Sequence, residues 1–286
     1  MLLCAVCAQA NNYTVTSPDG KLAVNVECKE GKAFYTVDYN GKQMLGASAL
    51  GLVANYGDFS QNLKMGALKS EKKHLAYKMT RIKKEKIEKD ANEATIGFIN
   101  SKKDSMTLRL HVSNNDIAYK YEMIRPKKDN PKSVIIYHEV SGFNFPEKTT
   151  TFLCPQITPM TGWERTKPSY EEEYTPDAPM NVKSQFGVGY TFPCLFKVGN
   201  DGWVLVSETG VSSAYPGCRL SDYEPGKGYT VAFPQKGENN GFGSEFAGIP
   251  LPGETPWRTI TVGSSLAPIV ETTIPYDVVE PLYEAS

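Results

Sequence analysis

The residues with the most chemistry to offer lie in one short run, Tyr170-Glu171-Glu172-Glu173-Tyr174. Three successive carboxylates repel one another, so they are stable where water screens them or where they share a cation. Oxygen donors on an irregular loop suit Ca²⁺, which takes about six to eight ligands in flexible geometry. Three neighbours cannot fill that shell, so water or a second polypeptide segment must complete it. An acidic surface turn accounts for the same run equally well. Trp163, Tyr170 and Tyr174, beside Lys167, add flat faces for pyranose C–H groups and polar tips for hydroxyls. Those aromatics could equally cover a domain interface.

The remaining candidates are weaker. His138-Glu139 contains an acid and a base, as some supersandwich sugar epimerases do, but adjacent strand residues point to opposite faces. His111 and His138 fall in strand patterns and are expected to be structural, while His74 sits in a basic run and is expected at the surface. Gly237 to Gly243 reads GENNGFG, which lacks the lysine and following helix of a phosphate loop and is expected to be a surface loop. No nucleophile elbow, Walker, dinucleotide or H-E-x-x-H motif is present.

The elements that must position these residues read as strands. Leu22, Val24, Val26 and Cys28 alternate after the turn Pro18-Asp19-Gly20, and Phe34 to Tyr39 runs into the hairpin signal Asn40-Gly41. Further strands are predicted at Leu50–Ala54, Ala94–Ile99, Leu108–Val112, Ala118–Met123, Ser133–His138, Leu195–Val198, Trp203–Ser207, Tyr229–Phe233 and Arg258–Val262. Turn clusters such as Asn114-Asn115-Asp116 and Gly199-Asn200-Asp201-Gly202 separate them, which predicts an all-β antiparallel sandwich. The basic stretch from Lys64 to Asp90 reads as a solvated strand face, because Met79, Ile82 and Ile87 alternate with its charges. Ser264 to Ala267 predicts one helical turn before Pro268. Phe152 to Tyr190 is long, poor in strand pattern and rich in aromatics, the profile of a functional loop.

Composition narrows the function classes. Lys+Arg 31 against Asp+Glu 32 excludes the basic field of a general nucleic-acid binder. Sixteen Tyr and twelve Phe exclude a disordered chain, and 24 Gly with 19 Pro favour many short strands. Met1 to Ala10 ends in Ala8-Gln9-Ala10 and reads as the tail of a signal peptide, which predicts an exported, periplasmic protein. No later stretch approaches the ~20 apolar residues of a membrane span. Cys28, Cys154, Cys194 and Cys218 are widely spaced, so two disulfides or four buried thiols both fit.

The run from Thr158 to Met180, TPMTGWERTKPSYEEEYTPDAPM, resembles the N-terminal domain of glycoside hydrolase family 97. Blocks at Ser17–Leu22, His111–Tyr121, Glu139–Pro146, Val204–Gly217 and Thr255–Gly263 follow in the family's order. The resemblance implies a large β-supersandwich of the galactose-mutarotase type, over 11–275, preceding a catalytic (β/α)8 barrel. Residues 276–286 would then begin the linker to a barrel that this chain lacks. It also implies a Ca²⁺ shared with that barrel, with Glu171 the best-matching ligand and Glu172 and Glu173 beside it. Trp163, Lys167 and Tyr170 would lie near an oligosaccharide substrate, and no catalytic residue is expected in this chain. The α-galactosidase-like branch is favoured over the α-glucosidase-like one. A free-standing carbohydrate-binding module and, behind it, a sugar epimerase are the rival readings.

Overall fold

The structure is a computed structural model that describes residues 12–79, 83–126, 130–159, 172–238 and 241–281. The chain opens with β1 (Asn12–Thr16), β2 (Leu22–Lys29), β3 (Lys32–Tyr39) and β4 (Lys42–Leu50), which form a four-stranded antiparallel meander. The predicted turn at Pro18-Asp19-Gly20 joins the first pair, and Asn40-Gly41 joins β3 to β4. Leu22, Val24 and Val26 are fully buried, as the alternation requires.

The sequence pattern from Leu50 to Ala54 is not one strand. Gly51 has φ +138°, and a Cβ there would sit 2.2 Å from the Phe59 carbonyl oxygen, so the chain breaks at this residue. It re-enters a different sheet as β5 (Leu52–Ala54) and β6 (Gly57–Asp58). The basic stretch then forms β7 (Lys64–Lys78), paired along its length with β8 (Lys86–Ile99). Leu75, Met79 and Ile87 are buried, but on the face that carries Tyr77 and Lys89 and not in the main apolar core. Most of the lysines are solvated, and Ile82 lies outside the described residues.

The chain continues through β9 (Ser105–Val112), β10 (Asp116–Met123), β11 (Ser133–Glu139), β12 (Gly142–Phe143), β13 (Thr149–Pro155) and β14 (Thr175–Pro179). It closes with β15 (Tyr190–Val198), β16 (Gly202–Thr209), β17 (Arg219–Leu220), β18 (Tyr229–Ala232), β19 (Ala247–Pro250), β20 (Gly253–Glu254) and β21 (Trp257–Gly263). A large antiparallel sheet runs β12-β18-β17-β15-β16-β21-β10-β9-β8-β7, with β13, β14 and β20 added at its sides. A third sheet runs β19-β11-β5-β6. β14 was missed in the sequence because it carries Pro176 and Pro179, which only an edge strand tolerates.

The two smaller sheets pack on one face of the large one around a continuous apolar core. Tyr35 of β3 meets Tyr119 of β10 at 5.5 Å between ring centres, and Phe145 stacks on Phe196 at 4.0 Å. β10 and β21 are buried on both faces. Their second face is covered by α1 (Ala267–Glu271) and α2 (Ile274–Val278), with Ile274 against Ala118 and Trp257. Pro268 therefore starts a helix and does not stop one, since its missing N–H costs nothing in the first turn.

The same outer face carries a charged array. His111 Nδ1 lies 3.2 Å from Glu93 Oε1, and Lys73 Nζ lies 2.9 Å from the same oxygen. The hydrogen bond with His111 dominates over burial and, with Lys73, holds the Glu93 carboxyl at about 2 against its ordinary 4.5. A depressed acid contributes stability above its unfolded value and loses it as the pH falls through the folded one. Glu93→Gln should therefore flatten the loss of stability between pH 4.5 and about 2. Urea midpoints across that window measure it. Parallel acid limbs for the two proteins would refute the assignment.

Candidate functional site

The acidic and aromatic loop is the connection of a hairpin. β13 and β14 pair antiparallel, with Leu153 opposite Thr175, so the segment between Pro155 and Thr175 leaves and returns at one point of the sheet. Trp163, Lys167, Tyr170 and Glu171 lie outside the described residues. Glu172 and Glu173 are described, and the Cys154 thiol donates to the Glu172 carbonyl at 3.3 Å. Glu173 and Tyr174 are exposed.

The stem of this loop is held firmly. Gln156 is buried and accepts from the Thr191 hydroxyl at 3.0 Å, and its N–H donates to the Gly189 carbonyl at 2.8 Å. Gly189 has φ +91°, and a Cβ there would sit 2.0 Å from the Leu220 carbonyl oxygen, so the backbones meet closely here. Gln235 donates from Nε2 to the Ile157 carbonyl at 2.9 Å, tying the stem to the loop that follows β18.

Beneath this end of the sheet lies a buried ionic cluster. Arg258 has no solvent exposure, and its Nε and Nη2 donate to Glu139 at 2.9 and 2.7 Å. Its Nη1 donates to Glu208. Glu139 also accepts from Ser141 at 2.7 Å and from the Tyr215 hydroxyl at 2.8 Å. Burial pushes the Glu139 carboxyl up, but the Arg258 charge and these hydrogen bonds overcome it and leave it below the usual range. For Glu208 burial wins, and its carboxyl lies above the usual range despite Arg258. Cys218 Sγ accepts from Arg258 Nη2 at 3.5 Å, and burial pushes its thiol up to about 12, so it stays protonated. All four of Cys28, Cys154, Cys194 and Cys218 are free thiols.

This cluster removes His138-Glu139 as an acid/base pair. Glu139 is saturated by four donors in the core, and His138 is exposed on the opposite face. His138 is thus not the hydrogen-bonded structural residue expected; an irregularity in β11 between Ile136 and His138 exposes both Tyr137 and His138 and returns Glu139 to the core. His111 is buried as expected, and His74 is exposed and pairs with Asp90 at 2.8 Å. The sequence reading missed Arg258, Glu208 and Tyr215. The available signal was an arginine inside the otherwise apolar and hydroxylic run Trp257 to Gly263.

Metal chemistry has limited support in the donors described. Glu172 and Glu173 offer oxygens of the right hardness for Ca²⁺. Among the described residues, no three His, Cys, Asp or Glu side chains are placed to hold an ion.

Residues 15–281 match the family model described as Glycosyl-hydrolase 97 N-terminal. The chain belongs to this family. As an N-terminal domain of glycoside hydrolase family 97 it has the all-β sandwich expected, and its described residues form no (β/α)8 barrel. A solved β-arabinopyranosidase is 54% identical, with a TM-score of 0.91, over 95% of this chain and 43% of its own. A family 97 enzyme from Pseudoalteromonas sp. strain K8, solved in complex with panose, shares the fold at TM-score 0.78 and 19% identity. That match covers 94% of this chain and 38% of the enzyme's. The chain thus spans less than half the length of these solved relatives. No curated protein matches the chain.

Arg258→Met leaves Glu139 buried without its counter-charge and should destabilise the domain by about 3–5 kcal/mol. Replacing Arg258 and Glu139 together by apolar residues of similar size should recover most of that loss. Chemical denaturation of the single and double variants measures both. A double variant no more stable than Arg258→Met would contradict the pairing.

Proposed function

We propose that this chain is the N-terminal, non-catalytic domain of an exported glycoside hydrolase acting on galacto-configured pyranosides. The observation that carries the reading is a family 97 N-terminal match across nearly the whole chain, in a fold whose buried acids are already neutralised. Glycoside cleavage needs an acid and a base or nucleophile flanking the bond, about 5–10 Å apart. Glu139 is locked to Arg258, so the acid and its partner belong to the rest of the enzyme. The 54% identity to a β-arabinopyranosidase supports the galacto-configured class. L-arabinopyranose is the galactose ring without its C6 group, so α-galactosides and β-L-arabinopyranosides present the same hydroxyls. The earlier preference for galactosides over glucosides fits the same shape.

In this reading the hairpin loop between β13 and β14 is the working part. Glu171, with Glu172 and Glu173 beside it, supplies one ligand to a Ca²⁺ whose other ligands come from the catalytic domain. Trp163, Lys167 and Tyr170 contact the sugar. Such an ion would supply fixed positive charge beside the substrate hydroxyls. The domain's own contribution is orientation: Gln156, Gly189 and Gln235 hold the loop stem at one end of the sheet. Export rests on the Met1–Ala10 pattern.

The enzyme carrying this chain should hydrolyse p-nitrophenyl α-galactoside or β-L-arabinopyranoside and leave the α-glucoside intact, with activity lost in EDTA and restored by Ca²⁺. The 286-residue chain alone should hydrolyse none of them. By calorimetry it should bind Ca²⁺ weakly and show no affinity for galactosides at millimolar concentration. Tight Ca²⁺ binding by the chain alone would contradict a shared ion. Sugar binding by the chain alone would favour a free-standing carbohydrate-binding module.

A further inference from the structure

We propose that the segment 266–279 is a latch on the outer face of the large sheet, and that its grip depends on whether Asp116 carries a proton. The inference goes beyond the activity proposed above and does not depend on it. α1 and α2 have five residues each, too few to persist as helices unaided. α1 buries no side chain, and α2 buries Ile274 and Asp277. Apolar anchorage is therefore small: Ile274 sits on Ala118 and Trp257, with Val278 and Val279 partly covered. Polar contacts carry the rest. Thr272 donates to Asp116 Oδ1 at 2.6 Å, Tyr77 to Asp277 Oδ1 at 2.6 Å, and Lys89 to Thr273 Oγ1 at 3.0 Å. Lys83 donates to the Thr272 carbonyl, and Lys84 pairs with Glu271.

The weak point is that two buried carboxylates share one ammonium. Lys89 Nζ lies 2.5 Å from Asp277 Oδ2 and 3.9 Å from Asp116 Oδ2, so its charge is committed to the segment's own acid. Asp116 Oδ1 is satisfied by Thr261 and Thr272. Its Oδ2 accepts no hydrogen bond among the described residues, and the residue is 4% exposed. Burial raises the Asp116 carboxyl above its ordinary 3.8 and Asp277 adds to that, against the threonine hydroxyls and Lys89. A cavity of about 320 Å³ opens beside it, lined by Asp116, Ser113, Asn115 and Thr272 and reaching the exposed Lys86 and Glu88. A proton can therefore reach the acid while the segment stays in place. Lys73 of β7, Glu93 of β8 and His111 of β9 share this face, but they bond to one another. None of the three makes a polar contact with 266–279 among the described residues. When the segment lifts, Asp116 meets water. A carboxyl that holds its proton more tightly in the latched state favours latching at low pH and weakens it as the pH rises through the latched value. The segment follows β21, so the latch decides whether the chain beyond Val279 leaves the sandwich from a fixed point or on a loose tether.

Amide hydrogen exchange on the 286-residue chain tests this, read as protection factors so that the intrinsic pH dependence of exchange is removed. The reporters are the N–H groups of Val270, Tyr276, Asp277 and Val279, which bond within the segment, and strands β2 and β3 are the core reference. Protection of the segment should fall several-fold between about pH 5 and about pH 8, while that of β2 and β3 stays constant. Asp116→Asn keeps an oxygen for Thr261 and Thr272 without the charge. Its segment should be protected at pH 8 as well as the unaltered chain's is at pH 5. Glu93→Gln, which alters the neighbouring His111 pair, should leave the pH dependence of the segment as it was. Constant protection in the unaltered chain would overturn the latch without recourse to any variant. So would an unchanged pH dependence in Asp116→Asn, or its loss in Glu93→Gln, which would assign the proton to His111. Loss of protection in step with β2 and β3 would also overturn it, because the whole domain would then be opening.

Discussion

Arg258 is the constraint around which the sandwich is arranged. A guanidinium with no water contact must be met by carboxylates, and here they come from two other elements: Glu139 at the end of β11 and Glu208 on β16. β21 pairs with β10 on one side and β16 on the other, so one side chain ties the large sheet to the small β19-β11-β5-β6 sheet. Such a cluster adds little stability over a well-packed apolar one. Its consequence is register. A slip of one residue on β21 would turn Arg258 to the outer face and push Trp257 and Thr259 into the core. The charge makes that alternative expensive, and the same register places the loop stems at the end of the sheet.

A second clamp acts on the other face of the same strands. Asp277 of α2 accepts from Tyr77 at 2.6 Å and pairs with Lys89 at 2.5 Å, while Asp116 accepts from Thr261 and Thr272 at 2.6 Å each. Lys84 pairs with Glu271 at 2.8 Å, and Lys83 donates to the Thr272 carbonyl. The basic hairpin β7–β8 thus grips the segment that carries α1 and α2. The near-zero net charge conceals this arrangement: lysines gathered on one hairpin meet acids from the far end of the chain. With the core on one side and this segment on the other, β10 and β21 are enclosed on both faces.

The strands were legible because alternation is local, and Leu22, Val24 and Val26 announce their face without reference to any partner. The hairpin at Asn40-Gly41 was legible for the same reason. What escaped depended on distant residues. Gly51 breaks a strand because the Phe59 backbone occupies the space of a Cβ, and nothing in the neighbouring letters says so. β14 exists because β13 lies beside it, against the advice of two prolines. Glu139 looked like a general base beside His138, and only the approach of Arg258, Tyr215 and Ser141 shows it to be a locked anion. The acidic loop could be singled out from composition and block order, and its stem is now placed at one end of the sheet. The roles proposed for Glu171 and Trp163 have no local pattern behind them and rest on the family resemblance.

The distribution of acids separates framework from chemistry. Asp116, Glu139 and Asp277 are the acids buried among the described residues, and each is committed to the fold. Glu139 faces Arg258, Asp277 faces Lys89 and Tyr77, and Asp116 is held by two threonines with Lys89 nearby. A carboxylate bound this way cannot collect a proton from a substrate without breaking the contact that holds a strand or helix in place. The Tyr170–Tyr174 run is different in kind: its carboxylates are consecutive, with no basic residue among them. Like charges so close together raise one another's free energy, and a divalent cation relieves that repulsion more effectively than a lysine can. The fold therefore commits Arg258 and Lys89 to its own buried acids, and a run of consecutive carboxylates is the kind of group that a shared divalent cation suits.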